Sequence, residues 1–335
     1  MENILNIYKP NYIKKNKINY YLFDVFIRDN LLYIIMPLYK NYPCFRNIKV
    51  ESNDKVLPLF KNYFNSKYEP FRILIYKIED IINEYIINEY INVKLSFDHL
   101  IFTKKIKVDN SNTKYNITFS TLCKDDYRLS ENFINYYKNL GVDCFIFYLN
   151  LPITKEIENY YLELQKKYLN IKINLFEWNF DYWYYDGYKK MHHIQPACIN
   201  HALYKFGKSQ SHYMLFCDLD EYIYLNGLTL TEFLKKNNFL DTIGFKNIWS
   251  KTISTKPEKP LPNVFLTSQK VYDYGVRSKC IHKSESIETL NIHHGGLYNK
   301  NPAVFNNFYM FHFFNWTQKE RKIHEVFFKF ELPIT

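Results

Sequence analysis

The amino-acid sequence predicts an α/β fold with a parallel, doubly wound sheet, preceded by a small antiparallel β domain. Residues 1–113 alternate apolar and polar positions between hairpin turns, whereas strand and helix patterns alternate from residue 114 onward. The chain has 335 residues, 47% hydrophobic and 19% aromatic, which is enough for two packed cores. We therefore predict a β domain at residues 1–113 and an α/β domain at residues 114–335.

Two hairpins are apparent in the N-terminal part. One runs from Phe26 to Ile35 and turns at Asp29-Asn30, and the other begins at Ile91 and turns at Asp98-His99. Alternating apolar residues with turn residues between them are typical of antiparallel strands. This part of the chain is predicted to form a small β-sandwich.

Apolar residues in the second part mark successive strands and helix faces. The predicted strands are 115–123, 144–149, 171–176 and 213–217. The predicted helices carry apolar stripes at Leu129, Phe133, Tyr136 and Leu140, then at Ile153, Ile157, Tyr160, Leu164 and Tyr168, and a third helix begins at Pro196 and ends at Gly207. Because each crossover between parallel strands needs a covering helix, this alternation predicts a parallel sheet, which binds ligands at the carboxyl ends of its strands.

Composition narrows the possible classes of function. The net charge is +10, but the lysines are scattered, which favours a solvated surface over a nucleic-acid interface; a basic cleft is the alternative. The six cysteines form no CxxC pair, and four lie in apolar runs, as buried free thiols in a reducing compartment do. Neither a disulfide framework nor a zinc site is expected.

The sequence contains no apolar segment of the kind that directs secretion or spans a bilayer. We therefore expect a soluble, unsecreted, cytoplasmic protein. The abundance of Asn, Ile, Lys and Tyr indicates AT-rich coding DNA, such as that of a large DNA virus or a protist. A viral protein would then reside in the host cytoplasm.

The residues Asp218-Leu-Asp220 directly follow the fourth predicted strand. In an extended strand, residues two apart lie on the same side, so both carboxylates are expected to face one crevice. Two adjacent carboxylates favour a bound Mg²⁺ or Mn²⁺, which can bridge a diphosphate and neutralise charge on a leaving group. The motif is short, and an acidic loop after a strand would have the same sequence; its place at the ligand-binding edge favours the metal site.

Further motifs extend this pattern over residues 116–325. They include Ile117-Thr-Phe-Ser-Thr-Leu-Cys-Lys-Asp-Asp, Glu131-Asn-Phe-Ile-Asn-Tyr-Tyr-Lys-Asn-Leu-Gly-Val, Gln195-Pro-Ala-Cys-Ile-Asn, Phe216-Cys-Asp-Leu-Asp-Glu, Phe245-Lys-Asn-Ile-Trp-Ser, Lys279-Cys-Ile, Asn291-Ile-His-His and Phe311-His-Phe-Phe with Lys319 and Arg321. In this order they resemble the blocks of family 92 and related family 2 glycosyltransferases. The resemblance implies a Rossmann-like GT-A fold and transfer of a sugar from a nucleotide diphosphate, with UDP expected, to a hydroxyl of a glycan or protein-linked acceptor.

The resemblance also implies roles for individual residues. The loop would hold the base and ribose through Thr121, Leu122, Cys123, Lys124 and Asp125. Asp218 would face the ribose or a metal-bound water, and Asp220 would ligate the metal. Gln195 and Asn200 would line the donor pocket, although Gln195 could be only a helix cap and Asn200 a solvent-facing residue. The donor sugar expected from the family is galactose.

Several residues in the carboxyl half are candidates for the rest of the site. Neutral imidazole suits Mn²⁺, so a third metal ligand is expected among His293, His294 and His312. Lys279 and Arg277 could offset diphosphate charge, although basic residues beside a strand are often only solvated. An inverting mechanism needs a carboxylate base, for which position alone suggests Asp273.

Two departures from the family pattern affect the donor pocket. His201 replaces the usual acidic residue after Asn200, and Asn315-Trp316 replaces a common Lys-Ser pair. The aromatic residues Trp178 and Tyr182-Trp-Tyr-Tyr form a loop-like stretch that could stack on sugar rings or pack in the core. Because Asp181, Asp186 and Gly187 interrupt this stretch, it makes a poor core element.

Two other classes of function remain open. A metal-dependent phosphodiesterase would also use clustered carboxylates and histidines, but it would need a second well-placed acidic pair, which the catalytic half lacks. A non-catalytic carbohydrate-binding or scaffold protein with a degenerate GT-A unit is the other alternative. The presence of both Asp218 and Asp220 favours the transferase.

Overall fold

The computed structural model describes residues 5–14, 20–37, 48–52, 54–65, 71–78, 90–97, 100–109, 113–185, 191–254, 257, 260–273, 277–292, 302–316 and 325–332. Its first strands are β1 (Asn6–Tyr8), β2 (Ile13–Lys14), β3 (Tyr20–Leu22), β4 (Asp24–Arg28), β5 (Leu31–Pro37), β6 (Ile48–Ser52), β7 (Lys55–Val56), β8 (Leu59–Asn65), β9 (Phe71–Lys77), β10 (Tyr90–Phe97) and β11 (Leu100–Asp109). The later strands are β12 (Tyr115–Cys123), β13 (Cys144–Leu149), β14 (Lys172–Glu177), β15 (Trp183–Tyr185), β16 (Met191–His193), β17 (Ser211–Phe216), β18 (Glu221–Tyr224), β19 (Thr242–Lys251), β20 (Val264–Val271), β21 (Lys279–Lys283), β22 (Ala303–Phe313) and β23 (Phe327–Glu331). The helices are α1 (Ser130–Asn139), α2 (Lys155–Lys167), α3 (Gln195–Ala202) and α4 (Leu230–Lys236), with a π-helical segment at Leu203–Gly207 and short helical turns at Tyr127–Leu129, Lys208–Gln210 and Ser284–Ser286.

The chain forms two compact units that are not continuous in sequence. The large unit comprises residues 1–8, 114–179 and 211–335, and the small unit comprises residues 9–113 and 180–210. One boundary coincides with the predicted division at residues 113 and 114. The other segments differ from that division because β1 pairs in parallel with β14 and because residues 180–210 make their contacts within the small unit.

The large unit is built on a mixed sheet. Its strand order is β1-β14-β13-β12-β17-β21-β19-β20-β23, with β22 paired to β18 and β19. The strands β14, β13, β12 and β17 run parallel, as predicted, whereas β21 is antiparallel to β17 and β19, and β19 is antiparallel to β20 but parallel to β22. The predicted α/β character of this part is therefore confirmed, and the antiparallel strands after β17 make the sheet mixed.

The helices of the large unit cover the parallel strands in the way their apolar stripes predict. On α1, Phe133 and Tyr137 are fully buried, and Phe133 packs against Phe119 of β12 at a ring separation of 4.1 Å. At the start of α2, the Thr154 side chain accepts a hydrogen bond from the Ile157 amide. Such caps satisfy amides that have no partner within the helix, which fixes where the helix begins.

Gly141 ends α1 in a left-handed conformation with φ of +100°. A Cβ atom there would lie 2.2 Å from Thr231 Oγ1, whereas a Cβ at Gly227, with φ of +86°, would meet nothing within 4 Å. We expect Gly141→Ala to reduce the free energy of unfolding by about 3 kcal/mol, since backbone strain and overlap add, and Gly227→Ala by about 1 kcal/mol from strain alone. Urea unfolding of both variants measures the difference; equal losses would contradict the overlap with Thr231.

The small unit contains an eight-stranded sheet with the order β7-β6-β10-β11-β4-β5-β9-β8. Asp29 and Asn30, both with positive φ, form the predicted two-residue turn between β4 and β5. Asp98 and His99 lie outside the described residues, but Phe97 and Leu100 on either side of them are paired. β11 pairs with β10 along most of its length and with β4 at its end, which joins these eight strands into one continuous sheet; the packing of its two parts as a sandwich stays a prediction.

A buried ionic cluster fixes the α3 segment within the small unit. His201 Nε2 lies 2.7 Å from Asp24 Oδ2, and Lys205 Nζ lies 3.2 Å from the same oxygen. Burial raises the pKa of Asp24, but Lys205, His201 and the Asn11 amide outweigh it and lower the pKa. Burial lowers the pKa of His201 to about 4, although Asp24 opposes the shift. His201 is therefore neutral and Asp24 charged at neutral pH.

Because of this cluster, the free energy of unfolding should decrease in mild acid. His201 takes up a proton near pH 6.5 in the unfolded chain but only at about pH 4 in the folded protein, so stability is lost as the pH falls through this window. Asp24 acts in the same direction, because its lowered pKa stabilises the fold only while the carboxyl is charged. We expect His201 to account for about 3 kcal/mol between pH 7 and pH 4.

Urea unfolding as a function of pH tests this expectation. His201→Gln should flatten the loss of stability between pH 7 and pH 4, even if the variant is less stable at every pH. His212→Gln removes an exposed histidine and serves as the matched control with an unchanged slope. An unaltered pH dependence in His201→Gln would show that this histidine is not responsible.

The cysteines and the helices can each be compared with the sequence predictions. Cys123, Cys144, Cys198, Cys217 and Cys280 are free and buried, as expected for structural thiols; Cys44 lies outside the described residues. Among the helices of the described ranges, none is long and apolar enough to cross a membrane.

Candidate active site

The acidic motif follows β17 at the carboxyl end of the parallel strands. The strand ends at Phe216, and residues 218–221 form a turn in which the Glu221 amide donates to the Asp218 carbonyl oxygen at 3.1 Å. The prediction that extended strand geometry places Asp218 and Asp220 on the same side is therefore wrong, because the strand ends before them. The Asp218 side chain is 39% exposed and that of Asp220 only 3%, so the two carboxyls have different surroundings.

Lys279 joins two of the acidic side chains. This residue begins β21, and its Nζ lies 3.1 Å from Asp218 Oδ2 and 3.2 Å from Glu221 Oε2. The same Glu221 oxygen accepts a hydrogen bond from the Asp218 amide at 2.7 Å. The lysine predicted to offset diphosphate charge is thus already paired with protein carboxylates.

Burial and charge shift the ionisation of this group. Burial lowers the pKa of Lys279, but Asp218 and Glu221 outweigh it and raise the pKa above its ordinary value. Burial raises the pKa of Glu221 to about 7, and the charge of Asp218 adds to this, although Lys279 and His312 oppose it. Lys279 therefore stays charged, while Glu221 is poised to exchange a proton near neutral pH.

Asp220 faces His312 on the neighbouring strand. Pairing of β18 with β22 sets Glu221 opposite His312, and the Phe313 amide donates to the Asp220 carbonyl oxygen at 2.7 Å. His312 Nε2 lies 3.4 Å from Asp220 Oδ2, and its Nδ1 lies 3.6 Å from Glu221 Oε1. Of the three predicted histidine ligands, His312 is beside the acidic motif, whereas His293 and His294 lie outside the described residues.

A further carboxyl, that of Asp126, belongs to the same site. It follows β12, the strand beside β17, and its Oδ1 accepts a hydrogen bond from the Lys124 amide at 2.9 Å. Burial raises the pKa of Asp126 to about 6, and the charges of Asp220 and Asp218 add to the increase, while the Lys124 amide opposes it. The site therefore concentrates more negative charge than Lys279 alone can balance.

Aromatic and amide side chains support His312 from β19. The Trp249 ring lies 4.6 Å from the imidazole of His312, and the Asn247 amide nitrogen lies 3.3 Å from its Nδ1. The guanidinium of Arg277, an exposed residue with φ of +55°, lies 4.9 Å from the Trp249 ring. The contacts of Trp249 and Asn247 restrict the orientation of His312. The contact of Arg277 with Trp249 places the guanidinium beside these residues.

The predicted nucleotide-holding loop has both inward- and outward-facing residues. Thr121 and Cys123 are buried in β12, and the Cys123 thiol points to the Tyr148 carbonyl oxygen at 3.7 Å. Leu122 is half-buried, whereas Lys124 and Asp125 are exposed beyond the strand. The Thr121 hydroxyl is buried and has no hydrogen-bond partner among the residues that the structure describes.

The remaining predicted site residues are Gln195, Asn200 and Asp273. Gln195 begins α3, and the Asn200 amide donates to the Pro196 carbonyl oxygen at 2.8 Å; both belong to the small unit. Asn200 is fully buried, so its predicted alternative as a solvent-facing residue is wrong. Asp273 is exposed at the end of β20.

The predicted aromatic stretch is divided between the units. Trp178 is fully buried in the large unit against Tyr148 and Phe176, which is core packing. The following segment is not a loop, because β15 pairs with β16 as an antiparallel ribbon in the small unit. Tyr182 and Trp183 are exposed there, while Asp186 and Gly187 lie outside the described residues.

Sequence reasoning missed Glu221, Asp126, Asn247 and Trp249. Glu221 had a detectable signal, since it is a charged residue at the start of an otherwise apolar strand. Asp126 is one of two adjacent aspartates after β12, of which only Asp125 was assigned a role. Asn247 and Trp249 lie in the block Phe245-Lys-Asn-Ile-Trp-Ser, but the sequence assigned them no role, because that role depends on the pairing of their strand with β22.

The family of the chain follows from comparison with known proteins. The model of glycosyltransferase family 92 matches residues 130–332, which is more than half of the chain. The chain belongs to glycosyltransferase family 92. The match includes Asp218, Asp220 and Glu221 as well as Lys279 and His312, whereas Asp126 and the loop at 121–125 precede it. A search of curated proteins finds no match.

Family 92 membership makes the chain a glycosyltransferase, which requires sites for a sugar donor and an acceptor. The acidic cluster comprises Asp126, Asp218, Asp220 and Glu221 at the carboxyl edge of the parallel strands; Asp220 and Glu221 are buried, and Asp126 and Asp218 are half-buried. In open α/β sheets this edge is where ligands bind. Within the described ranges, no group of three or more His, Cys, Asp or Glu side chains has the arrangement of a complete metal site.

Proposed function

We propose that the protein is a GT-A glycosyltransferase that uses a divalent cation to transfer a sugar from a nucleotide diphosphate to an acceptor hydroxyl. The main support for this proposal is the close grouping of four acidic residues at the carboxyl edge of the parallel strands, namely Asp126, Asp218, Asp220 and Glu221. Mutual repulsion and burial raise the pKa of Asp126 and Glu221, which marks a site that a cation would stabilise. Family 92 membership supplies the reaction class.

The residues present fit a metal that shares its ligands with a substrate. Donor atoms on one Mg²⁺ or Mn²⁺ ion at right angles lie about 3 Å apart, given bond lengths near 2.1 Å. Asp220 Oδ2 and His312 Nε2, at 3.4 Å, are close to that separation. Such ions commonly take one or two protein ligands, and diphosphate oxygens and water complete the shell. The two-residue set is therefore compatible with Mn²⁺ or Mg²⁺.

When bound, the ion would neutralise the charge that develops on the departing diphosphate. The chain's own residues would position this chemistry. Asp220 and His312 would hold the ion, and Lys279 would orient Asp218 for the ribose or a metal-bound water. Trp249 and Asn247 would keep the imidazole in place. Arg277, exposed beside Trp249, would offset phosphate charge at the rim.

UDP is the proposed nucleotide and galactose the proposed sugar. On the nucleotide side, Thr121 offers a buried hydroxyl with no partner in the described part of the chain, near the end of β12 and beside the strand that leads to Asp218. A base or ribose group could satisfy that hydroxyl, since buried polar groups are rarely left unpaired. Lys124 and Asp125 extend the same loop into solvent. The acceptor would be a hydroxyl of a glycan or glycoprotein.

Release of UDP from nucleotide sugars tests the proposal. UDP-galactose, UDP-glucose and UDP-N-acetylglucosamine are incubated with the protein in Mn²⁺ or in EDTA, with mixed glycans as acceptors, and free UDP is measured. We expect release from one donor, in Mn²⁺ only. If no donor releases UDP while bis-p-nitrophenyl phosphate is cleaved, the protein is a phosphodiesterase; if neither reaction occurs, the proposal of catalysis is wrong.

A further inference from the structure

A second concave site lies in the large unit, away from the acidic cluster. It is a groove with a cavity volume of about 360 Å³ between the end of α1 and the segment that follows β18. Its lining includes Asn135, Tyr136 and Asn139 of α1, Tyr224 of β18, and Asn263.

The helix and the strand that line the groove extend away from the acidic cluster. Helix α1 begins four residues after Asp126, and its ten residues span about 15 Å, so Asn139 lies at the far end. Strand β18 starts at Glu221 and reaches Tyr224 about 10 Å further on. The groove is therefore a separate site and not an extension of the metal-binding residues.

The groove has no charged lining residue in the described part of the chain. Its walls are formed by tyrosine, asparagine, threonine, leucine, proline and glycine, although 23% of the whole chain is charged. A phosphate, a nucleotide or an acidic peptide would find no cation among the lining residues that the structure describes. Because the net charge of the chain is +10, the neutral lining is a local feature and favours a neutral ligand.

Its polar groups are available to a ligand. The side-chain amides of Asn135, Asn139 and Asn263 make no hydrogen bond to any residue that the structure describes. Each amide offers two donors and one acceptor oxygen, which match the hydroxyl groups of a sugar. An entirely apolar ligand would cover these amides without pairing them, at a cost in binding free energy.

The two tyrosine rings are fixed before any ligand binds. The Tyr136 hydroxyl donates to the Ile223 carbonyl oxygen at 2.7 Å. The Tyr224 ring packs against Phe311 and Phe330 at 5.5 and 5.4 Å, and its hydroxyl donates to Asn226 at 3.0 Å. Rigid aromatic surfaces lose little entropy on binding, and they suit the apolar CH faces of sugar rings.

From these features we infer that the groove is a carbohydrate-binding site for a neutral oligosaccharide, apart from the site of transfer. Tyrosine surfaces would stack on the sugar rings, and the three unpaired amides would hydrogen-bond the hydroxyls. The inference does not depend on the proposed donor or metal. A chain with such a site would hold a glycan independently of catalysis.

Binding of neutral trisaccharides tests the inference. Maltotriose, cellotriose, mannotriose and tri-N-acetylchitotriose are each titrated at millimolar concentration, with saturation-transfer NMR as the readout. We expect at least one to bind the wild type and to bind about tenfold or more weakly to the Asn139→Ala/Asn263→Ala variant, because both exposed amides are lost without disturbing the core.

Two further variants separate this groove from other sites. Asn170→Ala removes an exposed asparagine elsewhere in the large unit and should bind as the wild type does. Asp220→Ala should also keep full trisaccharide binding, even if it loses nucleotide binding. The inference is overturned if no trisaccharide binds, if the double variant binds unchanged, or if Asp220→Ala abolishes binding.

Discussion

Replacing Asp220 with alanine should abolish metal-dependent binding of the nucleotide and reduce sugar transfer by about 10³-fold or more. Loss of a metal ligand removes several kcal/mol of charge stabilisation in the transition state, and each 1.36 kcal/mol corresponds to a tenfold change in rate. The Asp220 carboxylate is buried, and its Oδ2 lies 3.4 Å from His312 Nε2, the separation that the proposed metal site needs. Rates of UDP release in Mn²⁺, together with nucleotide titrations, measure the effect.

The same substitution should not weaken the fold. The charge of Asp220 raises the pKa of both Asp126 and Glu221, which means that it repels its neighbours. Removing it relieves that repulsion, so the thermal midpoint of Asp220→Ala should equal or exceed that of the wild type. Asp241→Ala, at an exposed position in the same unit, serves as the control with normal activity. Full activity of Asp220→Ala would exclude a metal at this residue.

Replacing Lys279 with methionine should cause the largest loss of stability, about 3–5 kcal/mol. The ammonium group is buried and paired with both Asp218 and Glu221, and removal of one partner from a buried ion pair leaves an uncompensated charge. Burial already raises the pKa of Glu221, which would rise further without Lys279. Urea unfolding monitored by tryptophan fluorescence measures the loss.

Two companion variants identify the cause of this loss. Lys283→Met changes a half-buried lysine on the same strand and should cost about 0.5 kcal/mol or less. The double variant Lys279→Met/Glu221→Gln removes the stranded carboxylate together with its cation, so it should recover part of the lost stability. A double variant less stable than Lys279→Met would indicate that packing, and not charge, explains the effect.

The parallel part of the fold could be predicted because each of its elements has a local signal. Strands β12, β13, β14 and β17 are apolar runs, and helices α1 and α2 show apolar stripes between them. The pairing of β1 with β14 has no such signal, since three residues near the N-terminus contact a strand more than 160 positions later. Such long-range contacts depend on the whole fold and not on local sequence.

Only part of the candidate site could be predicted from the sequence. Asp218 and Asp220 could be located from the strand before them, but their turn conformation and separate partners could not. Lys279 in a strand has the same sequence signal whether it is solvated or buried between carboxylates. The hydrogen bond between His201 and Asp24 joins residues 177 positions apart, and therefore no structural reason for a histidine at position 201 in place of an acidic residue could be read from the sequence.

Calorimetric titration of the wild-type protein with UDP, in Mn²⁺ and then in EDTA, tests the central claim most directly. GDP and CDP under both conditions establish which nucleotide is preferred. A cation at Asp220 and His312 would link the protein to the diphosphate, so the account predicts that UDP binds in Mn²⁺ and not in EDTA. Equal binding in both conditions would contradict the metal site, and no binding of any nucleotide would contradict the donor site itself.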